Sequence, residues 1–250
     1  MKNFFILSTM FFCGLSFFTK AQVVLQGKIE YTRKMNIHRQ FDDWGDDDNT
    51  SYKDVWLSKI PKFDTRSFSY FFNVKQSKYA PIKQEENTAL SMMGGLPGTE
   101  TQVFTDFEKQ KNIASKKVYE QIFLIDDSVK KLTWKILDEV RTIAGYSARK
   151  AVTKINDSVV VVAFYTDRIP VSGGPEMFGG LPGMILEIAV PRLHTTWIAK
   201  SIVIQAATAT DLVIPDKGKK TTMVEMQKTI RSGTKNWGKF ADKSIWWSSL

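Results

Sequence analysis

Most of the chain consists of short apolar segments separated by turn-forming residues. Within the segments apolar and polar positions alternate, or β-branched residues follow one another as at 159–162, which favours strands of an antiparallel sheet over helices. The clusters at 108–112, 126–128 and 156–158 are rich in turn residues and are predicted to connect strands. We predict strands at 27–37, 52–60, 67–74, 101–107, 117–125, 131–137, 147–155, 159–166, 184–190 and 195–206.

A helix is predicted close to the end of the sequence. Thr222 and Glu225 have the spacing of a capping box, and Met223, Met226 and Ile230 continue with a helical period. Gly233 is expected to end this helix. The aromatic segment 236–247 that follows is predicted to pack back on the protein, because exposed pairs of tryptophans are rare.

The N-terminal segment differs in kind from the rest. Lys2 precedes an apolar run that weakens towards Phe18, and the small residue Ala21 follows. A basic start, a short apolar run and a small residue are typical of a secretory signal peptide, whereas a membrane span needs about 20 apolar residues. We predict a signal peptide over 1–21, a mature domain over 22–250, and a periplasmic location with secretion or surface association as alternatives.

Residue counts narrow the chemistry that is open to the mature domain. Its sequence holds two histidines, His38 and His194. The single cysteine of the chain, Cys13, lies inside the predicted signal peptide. Because the large Phe12 precedes it, Cys13 is not expected to carry a lipid anchor. A disulfide and a Cys/His zinc site are therefore excluded. Neither a P-loop nor a dinucleotide glycine pattern occurs, so we expect no metal and no cofactor. No second apolar run is long enough to cross a membrane.

The net charge is +9, and removal of Lys2 and Lys20 leaves +7. Such a balance is compatible with anionic partners such as lipid head groups or acidic glycans, and export argues against nucleic acid. Because the lysines are spread along the chain, a solvated basic surface is the favoured interpretation. An acidic run at 42–49 is predicted to be a solvated hairpin tip, because it lacks the closing glutamate of a calcium loop. A second loop, at 82–100, combines methionines with glycines and is predicted to be an adaptable flap or a disordered segment.

The densest pattern of prolines and glycines lies at 169–183, between two predicted strands. Pro170 cannot donate to a strand ladder, and the glycine pairs at 173–174 and 179–180 allow tight reversals. The stretch either fixes a loop that crosses the sheet or forms a docking surface for a partner's backbone. The docking hypothesis assigns binding, and no catalysis, to Gly174, Pro175, Phe178, Gly179, Gly180, Leu181, Pro182 and Gly183.

Residues 180–185, Gly-Leu-Pro-Gly-Met-Ile, resemble the signature of the GLPGLI family of exported Bacteroidota proteins, with Met184 in place of the family's leucine. Segments at 143–146, 164–166 and 169–170 are similar to other sequence motifs of that family. The resemblance implies no established activity and an association with outer-membrane receptors of the TonB-dependent class. A weaker resemblance links the family to a bowl-shaped β domain that precedes the catalytic part of some bacterial peptide N-glycosidases. We therefore expect a mainly β fold: a single domain on a twisted antiparallel sheet, bowl- or half-barrel-like, with one short C-terminal helix.

Three functions remain open at this point. The leading prediction is an exported, non-enzymatic binding or accessory protein with a protein partner at the outer membrane. One alternative is an enzyme that acts on glycans or glycopeptides through two carboxylates about 5–10 Å apart. The other is a carrier of lipid or of another apolar ligand in a pocket of several hundred Å³. The candidate carboxylates of the enzyme are Asp106, Glu108, Glu139, Asp167 and Glu187.

Overall fold

The computed structural model describes residues 23–41, 54–55, 57–84, 95–156 and 158–250. Over these ranges twelve strands form one unclosed sheet in the order β12-β6-β5-β4-β3-β2-β1-β11-β10-β9-β8-β7, so the predicted mainly β fold is confirmed. All neighbouring strands are antiparallel except β12, which runs parallel to β6. The strands are β1 (Gly27–Asn36), β2 (Phe63–Phe72), β3 (Gln76–Pro81), β4 (Gln102–Asp106), β5 (Lys111–Val118), β6 (Gln121–Ser128), β7 (Lys135–Ile143), β8 (Tyr146–Ile155), β9 (Val159–Thr166), β10 (Met184–Val190), β11 (Thr195–Val203) and β12 (Lys219–Thr221).

Strand β1 lies at the centre of the sheet and joins its two halves. It pairs with β2 on one side and with β11 on the other, and apart from β12 each half is a meander of consecutive strands. Because side chains alternate along a strand, Ile29, Tyr31, Arg33 and Met35 all point to one face, and all four are fully buried. Arg33 is thus a cation on the buried face of β1, where the other buried side chains are apolar or aromatic.

The helices that accompany the sheet include α1 (Ile37–Gln40), α2 (Met223–Gly233) and α3 (Lys239–Ser248), together with a 3₁₀ helix at Pro191–Leu193. The predicted capping box is present, since Glu225 N donates to Thr222 Oγ1 at 3.2 Å and Thr222 N donates to Glu225 Oε2 at 3.4 Å. Helix α3 was not predicted as a helix. It contributes the buried Ile245 and brings Trp247 to 6.2 Å from the ring of Trp197 in β11.

Several predicted boundaries are wrong for local reasons. Residues 54–55 and 57 are helical and Ser58 N donates to Asp54 O, so the described part of the predicted strand 52–60 is not a strand. Strand β2 ends at Phe72 because the side chain of Asn73 accepts hydrogen bonds from two following backbone amides and forms a turn. The predicted strand 67–74 ended two residues inside this turn, and β3 after it was not predicted. Residues 126–128 belong to β6 rather than to a turn. The predicted strand 117–125 is split by a two-residue turn at Tyr119 and Glu120.

The proline- and glycine-rich stretch between β9 and β10, residues 169–183, crosses the buried face of the sheet. Tyr31 donates its hydroxyl to Ile185 O at 2.5 Å, and Ile185 N donates to Gly173 O at 2.8 Å. At Gly183, where φ is +153°, a Cβ atom would lie 2.1 Å from Thr166 O. The loop therefore packs so closely on β9 that this position accepts no side chain.

No helix in the described part of the chain is long and apolar enough to span a membrane. The predicted signal peptide at 1–21 and the acidic run at 42–49 lie outside the described residues, as does the central part of the predicted flap at 82–100.

Candidate functional site

A cleft of about 430 Å³ is the main candidate site. It lies between the β5–β6 hairpin, the segment 95–101, the end of α1, and helix α3, and one residue of the loop 169–183 reaches it. Its walls combine aromatic rings with cations and carboxylates. The residues that line it are Gln40, Phe41, Arg66, Gly95, Leu96, Pro97, Gly98, Thr99, Glu100, Thr101, Lys116, Lys117, Val118, Tyr119, Glu120, Glu176, Phe240, Lys243, Ser244, Trp247, Ser248 and Leu250.

Glu176 is the buried carboxylate of this cleft, with 4% of its surface exposed. Its backbone has a φ of +54°, which is uncommon for a residue other than glycine. The hydroxyl of Tyr79 donates to Glu176 Oε1 at 3.4 Å and accepts a hydrogen bond from the indole nitrogen of Trp197 at 3.1 Å. Strands β3 and β11 thus supply a chain of two buried donors that ends on the carboxylate.

Burial raises the pKa of the Glu176 carboxyl above its ordinary value, while the nearby cations of Lys116 and Arg33 and the hydrogen bond from Tyr79 oppose that rise. Burial also lowers the pKa of the Lys116 amine, against the attraction of Glu176. A carboxyl in such surroundings stays protonated to a higher pH than an exposed one. This is the property that a general acid requires.

Arg33 connects the sheet to the segment 95–101 at the edge of the cleft. Its Nη1 donates to Pro97 O at 2.8 Å and its Nη2 donates to Asp64 Oδ2 at 3.2 Å, where the two side chains also form an ion pair. Within the described ranges its Nε has no hydrogen-bond partner. A Cβ atom at Gly98 would lie 3.1 Å from Arg33 Nη1 and 3.8 Å from Glu176 Oε1, so Gly98 passes directly beside both charged groups.

The rim of the cleft is built from aromatic and charged side chains on neighbouring elements. Tyr119 lies in the β5–β6 turn, and Phe240 and Trp247 lie on α3. Lys117 Nζ forms an ion pair with Glu100 Oε1 at 2.9 Å. This mixture of rings and hydrogen-bonding groups is suited to a ligand with both apolar faces and polar edges.

The loop residues that the sequence nominated for binding lie beside the cleft rather than in it. Six of the eight are buried, namely Gly174, Pro175, Phe178, Gly179, Leu181 and Gly183, whereas Gly180 and Pro182 are exposed. None of the eight lines the cleft, and Gly180 lines a smaller cavity of about 220 Å³. The docking surface stays a prediction that rests on two exposed residues.

Glu176 lies within this same loop, and the sequence analysis did not select it. A glutamate between Pro175 and Met177, in a stretch otherwise without charge, is the signal that could have identified it. A carboxylate with apolar neighbours is either solvent-exposed or buried with partners, and local sequence offers no means of deciding between these.

The five carboxylates proposed from the sequence do not line the cleft. Four of them form separate ion pairs, with Glu187 to Arg141 at 2.6 Å as the most buried example, and Asp167 is exposed. The other pairs are Asp106–Lys109, Glu108–Lys75 and Glu139–Lys150. No group of three or more histidine, cysteine, aspartate or glutamate side chains in the described residues is placed to hold a metal ion.

Comparison with known proteins identifies a matching family and solved structures of similar fold. The family described as "N-glycanase peptide, N-terminal domain" matches residues 74–224. Two solved structures of PNGF-II are similar in fold, with TM-scores of 0.53 and 0.51, both at 16% identity, and they cover 82% and 89% of this chain. The chain spans 33% of the length of each of these structures. No curated protein matches it by sequence.

These matches correct the leading prediction of function. A non-enzymatic binding or accessory protein is wrong, because the matching family is named for a domain of an enzyme. The alternative, an enzyme acting on glycans or glycopeptides through carboxylates, agrees better with the match. The resemblance to the GLPGLI family and the predicted export stay predictions. Because the matched residues make up more than half of the sequence, the chain belongs to the family of the N-glycanase peptide N-terminal domain.

Proposed function

We propose that this chain is an enzyme acting on N-linked glycans or glycopeptides, with the cleft as its active site and Glu176 as its general acid. The observation that carries the proposal is the position of Glu176, a buried carboxyl with a raised pKa that opens onto a cleft lined by aromatic rings. The name of the family supports N-linked glycopeptides as the substrate class.

Hydrolysis of the link between a glycan and an asparagine side chain consumes one water molecule. A carbon–nitrogen bond breaks, the water oxygen joins the carbon, and the departing nitrogen takes a proton. Protonated Glu176 supplies this proton, and the carboxylates of Glu100 and Glu120, which also line the cleft, are the groups that can accept a proton from the attacking water. Lys116 and Arg33 then stabilise the glutamate anion that the transfer leaves behind.

The test is the release of glycan from a fluorescent asparagine-linked glycopeptide, followed by mass spectrometry in water enriched with heavy oxygen. The wild-type chain is expected to release the glycan. Glu176→Gln is expected to lower the rate by about 100-fold or more, since a positioned acid contributes about 10²–10⁴-fold. Glu108→Gln is the matched control, because Glu108 is exposed and pairs with Lys75 away from the cleft.

Two results would contradict the proposal. One is an absence of release by the folded wild-type chain, and the other is an unchanged rate in Glu176→Gln. Circular dichroism and thermal unfolding of both variants show whether a lost rate reflects lost structure.

A further inference from the structure

The β5–β6 turn carries an aromatic residue in a conformation that normally belongs to glycine. Strand β5 ends at Val118 and β6 begins at Gln121, so the turn contains only Tyr119 and Glu120. Tyr119 has a φ of +54°. Positive φ at the first central residue of a two-residue hairpin is the position where glycine is preferred, and a bulky residue there is strained.

Packing within the sheet does not explain this tyrosine, because 46% of its surface is exposed. Its ring instead meets the ring of Trp237 edge to face at 5.1 Å, and its hydroxyl forms a hydrogen bond with Ser244 of α3. Trp237 is itself 47% exposed. Strained residues that the surrounding structure holds in place cluster at functional sites, and these contacts fix the Tyr119 ring at the mouth of the cleft.

Further rings continue from Tyr119 towards the interior. Phe240 and Trp247 line the cleft from α3, and we name Tyr119, Phe240 and Trp247 the aromatic wall. Trp237 does not line the cleft and supports the wall through its contact with Tyr119. Trp247 lies 6.2 Å from the buried Trp197. Because Trp197 donates to Tyr79, which in turn donates to Glu176, the aromatic wall leads from the rim to the carboxylate.

Polar groups lie next to the aromatic wall at the mouth of the cleft. Glu120 is next to Tyr119 in the turn, and the Lys117–Glu100 ion pair lies on the neighbouring strand and segment. A sugar ring has an apolar face of C–H groups and an edge of hydroxyl and amide groups. The rings of the wall match the face, and the carboxylates and ammonium match the edge.

We propose that the aromatic wall is a saccharide-binding subsite in which the Tyr119 ring stacks on a pyranose of the substrate's glycan. This inference rests on the proposed function, since it identifies the glycan rather than the peptide as the part of the substrate that the mouth of the cleft binds.

Binding is measured in the Glu176→Gln protein, so that no turnover interferes. The probes are N,N′-diacetylchitobiose, an asparagine-linked glycopeptide, and the same peptide without sugar, titrated by calorimetry and by tryptophan fluorescence. We expect the glycopeptide to bind more tightly than the bare peptide. Tyr119→Gly removes the ring and relieves the backbone strain, and it is expected to weaken glycopeptide and disaccharide binding about tenfold, which corresponds to loss of one good aromatic contact.

Gln110→Gly is the matched control, because Gln110 is an exposed turn residue with a φ of +51° that does not line the cleft. It is expected to leave binding unchanged. Tyr119→Phe keeps the ring and is expected to retain affinity within about twofold. A thermal unfolding curve for each variant establishes that it is folded.

The outcomes separate this inference from the proposed function. Equal affinity of Tyr119→Gly and its parent protein for the glycopeptide would overturn the subsite, as would equal affinity of the parent protein for glycosylated and bare peptide. If the parent protein binds the sugar through Tyr119 but the wild-type chain never releases glycan, the catalytic proposal fails and the subsite stands.

Discussion

Replacing Gly183 by alanine and, in a second variant, Gly180 by alanine separates two structural roles within one short motif. A Cβ atom at Gly183 would lie 2.1 Å from Thr166 O and 2.8 Å from Thr166 C. Both are backbone atoms of β9, a buried strand that is paired on both sides. At Gly180, where φ is +85°, the nearest atom to such a Cβ is Trp134 Nε1 at 3.7 Å, an ordinary contact distance.

The two variants are expected to differ by a few kcal/mol in unfolding free energy. Gly180→Ala carries only the cost of an alanine in a left-handed conformation, about 1–2 kcal/mol. Gly183→Ala adds an overlap with backbone that can be relieved only by moving the loop off β9, and overpacking of this kind costs about 1–3 kcal/mol or more. We expect a total loss of about 4 kcal/mol, a large fraction of the 5–15 kcal/mol that is usual for a domain.

Urea unfolding followed by tryptophan fluorescence measures both changes, with Gly95→Ala as a further control. Gly95 has a φ of +77°, and a Cβ atom added there would have no neighbouring atom within 4 Å, so its variant should behave like Gly180→Ala or better. A loss in Gly183→Ala no larger than that in Gly180→Ala would refute the argument that Gly183 is required by its close approach to β9.

Three further changes test other parts of the structure. Tyr79→Phe removes a hydrogen-bond donor that lowers the pKa of Glu176, so the high-pH limb of the glycan-release profile should move to higher pH. The same change should lower the unfolding free energy by about 1 kcal/mol, measured by denaturation. Burial lowers the pKa of Lys78 from 10.5 to about 8. Between these pH values the unfolded chain binds a proton that the folded chain has released, so the unfolding free energy rises with pH. Lys78→Met should abolish this rise in denaturation curves measured from pH 7 to pH 10. Thr222→Ala removes the capping box of α2 and should lower the unfolding free energy by about 1 kcal/mol in the same assay.

The strands that the sequence predicted best are those whose apolar pattern is continuous. β9 and β10 have the predicted bounds, because runs of buried apolar residues distinguish them from their surroundings. The β5–β6 turn was missed because Tyr119 and Glu120 are not residues that mark a turn in a sequence. β12 is only three residues long and pairs with a strand far away in the chain, so local patterning cannot reveal it.

The candidate site was harder to predict, because its parts come together only in three dimensions. Glu176 comes from the loop after β9, Tyr79 from β3, Trp197 from β11 and Lys116 from β5. Each of these looks unexceptional in the sequence, and a glutamate in a loop is normally expected to be solvated. The loop itself was recognised from its prolines and glycines, but most of these motif residues are buried against the sheet. Glu176, which lines the cleft, is not one of them.

The central position of β1 has a consequence for how the chain reaches its folded state. The meanders β2–β6 and β7–β11 are built from neighbouring strands and can form from local contacts. β1 pairs with β2 nearby but also with β11, so that Lys28 faces Val203. Closing such a long loop is slow compared with forming hairpins. During synthesis β1 can pair with β11 only after β11 has left the ribosome. We expect docking of the two halves along β1 to limit the rate of folding, and until then one edge of β1 and one of β11 are open to pairing with other chains.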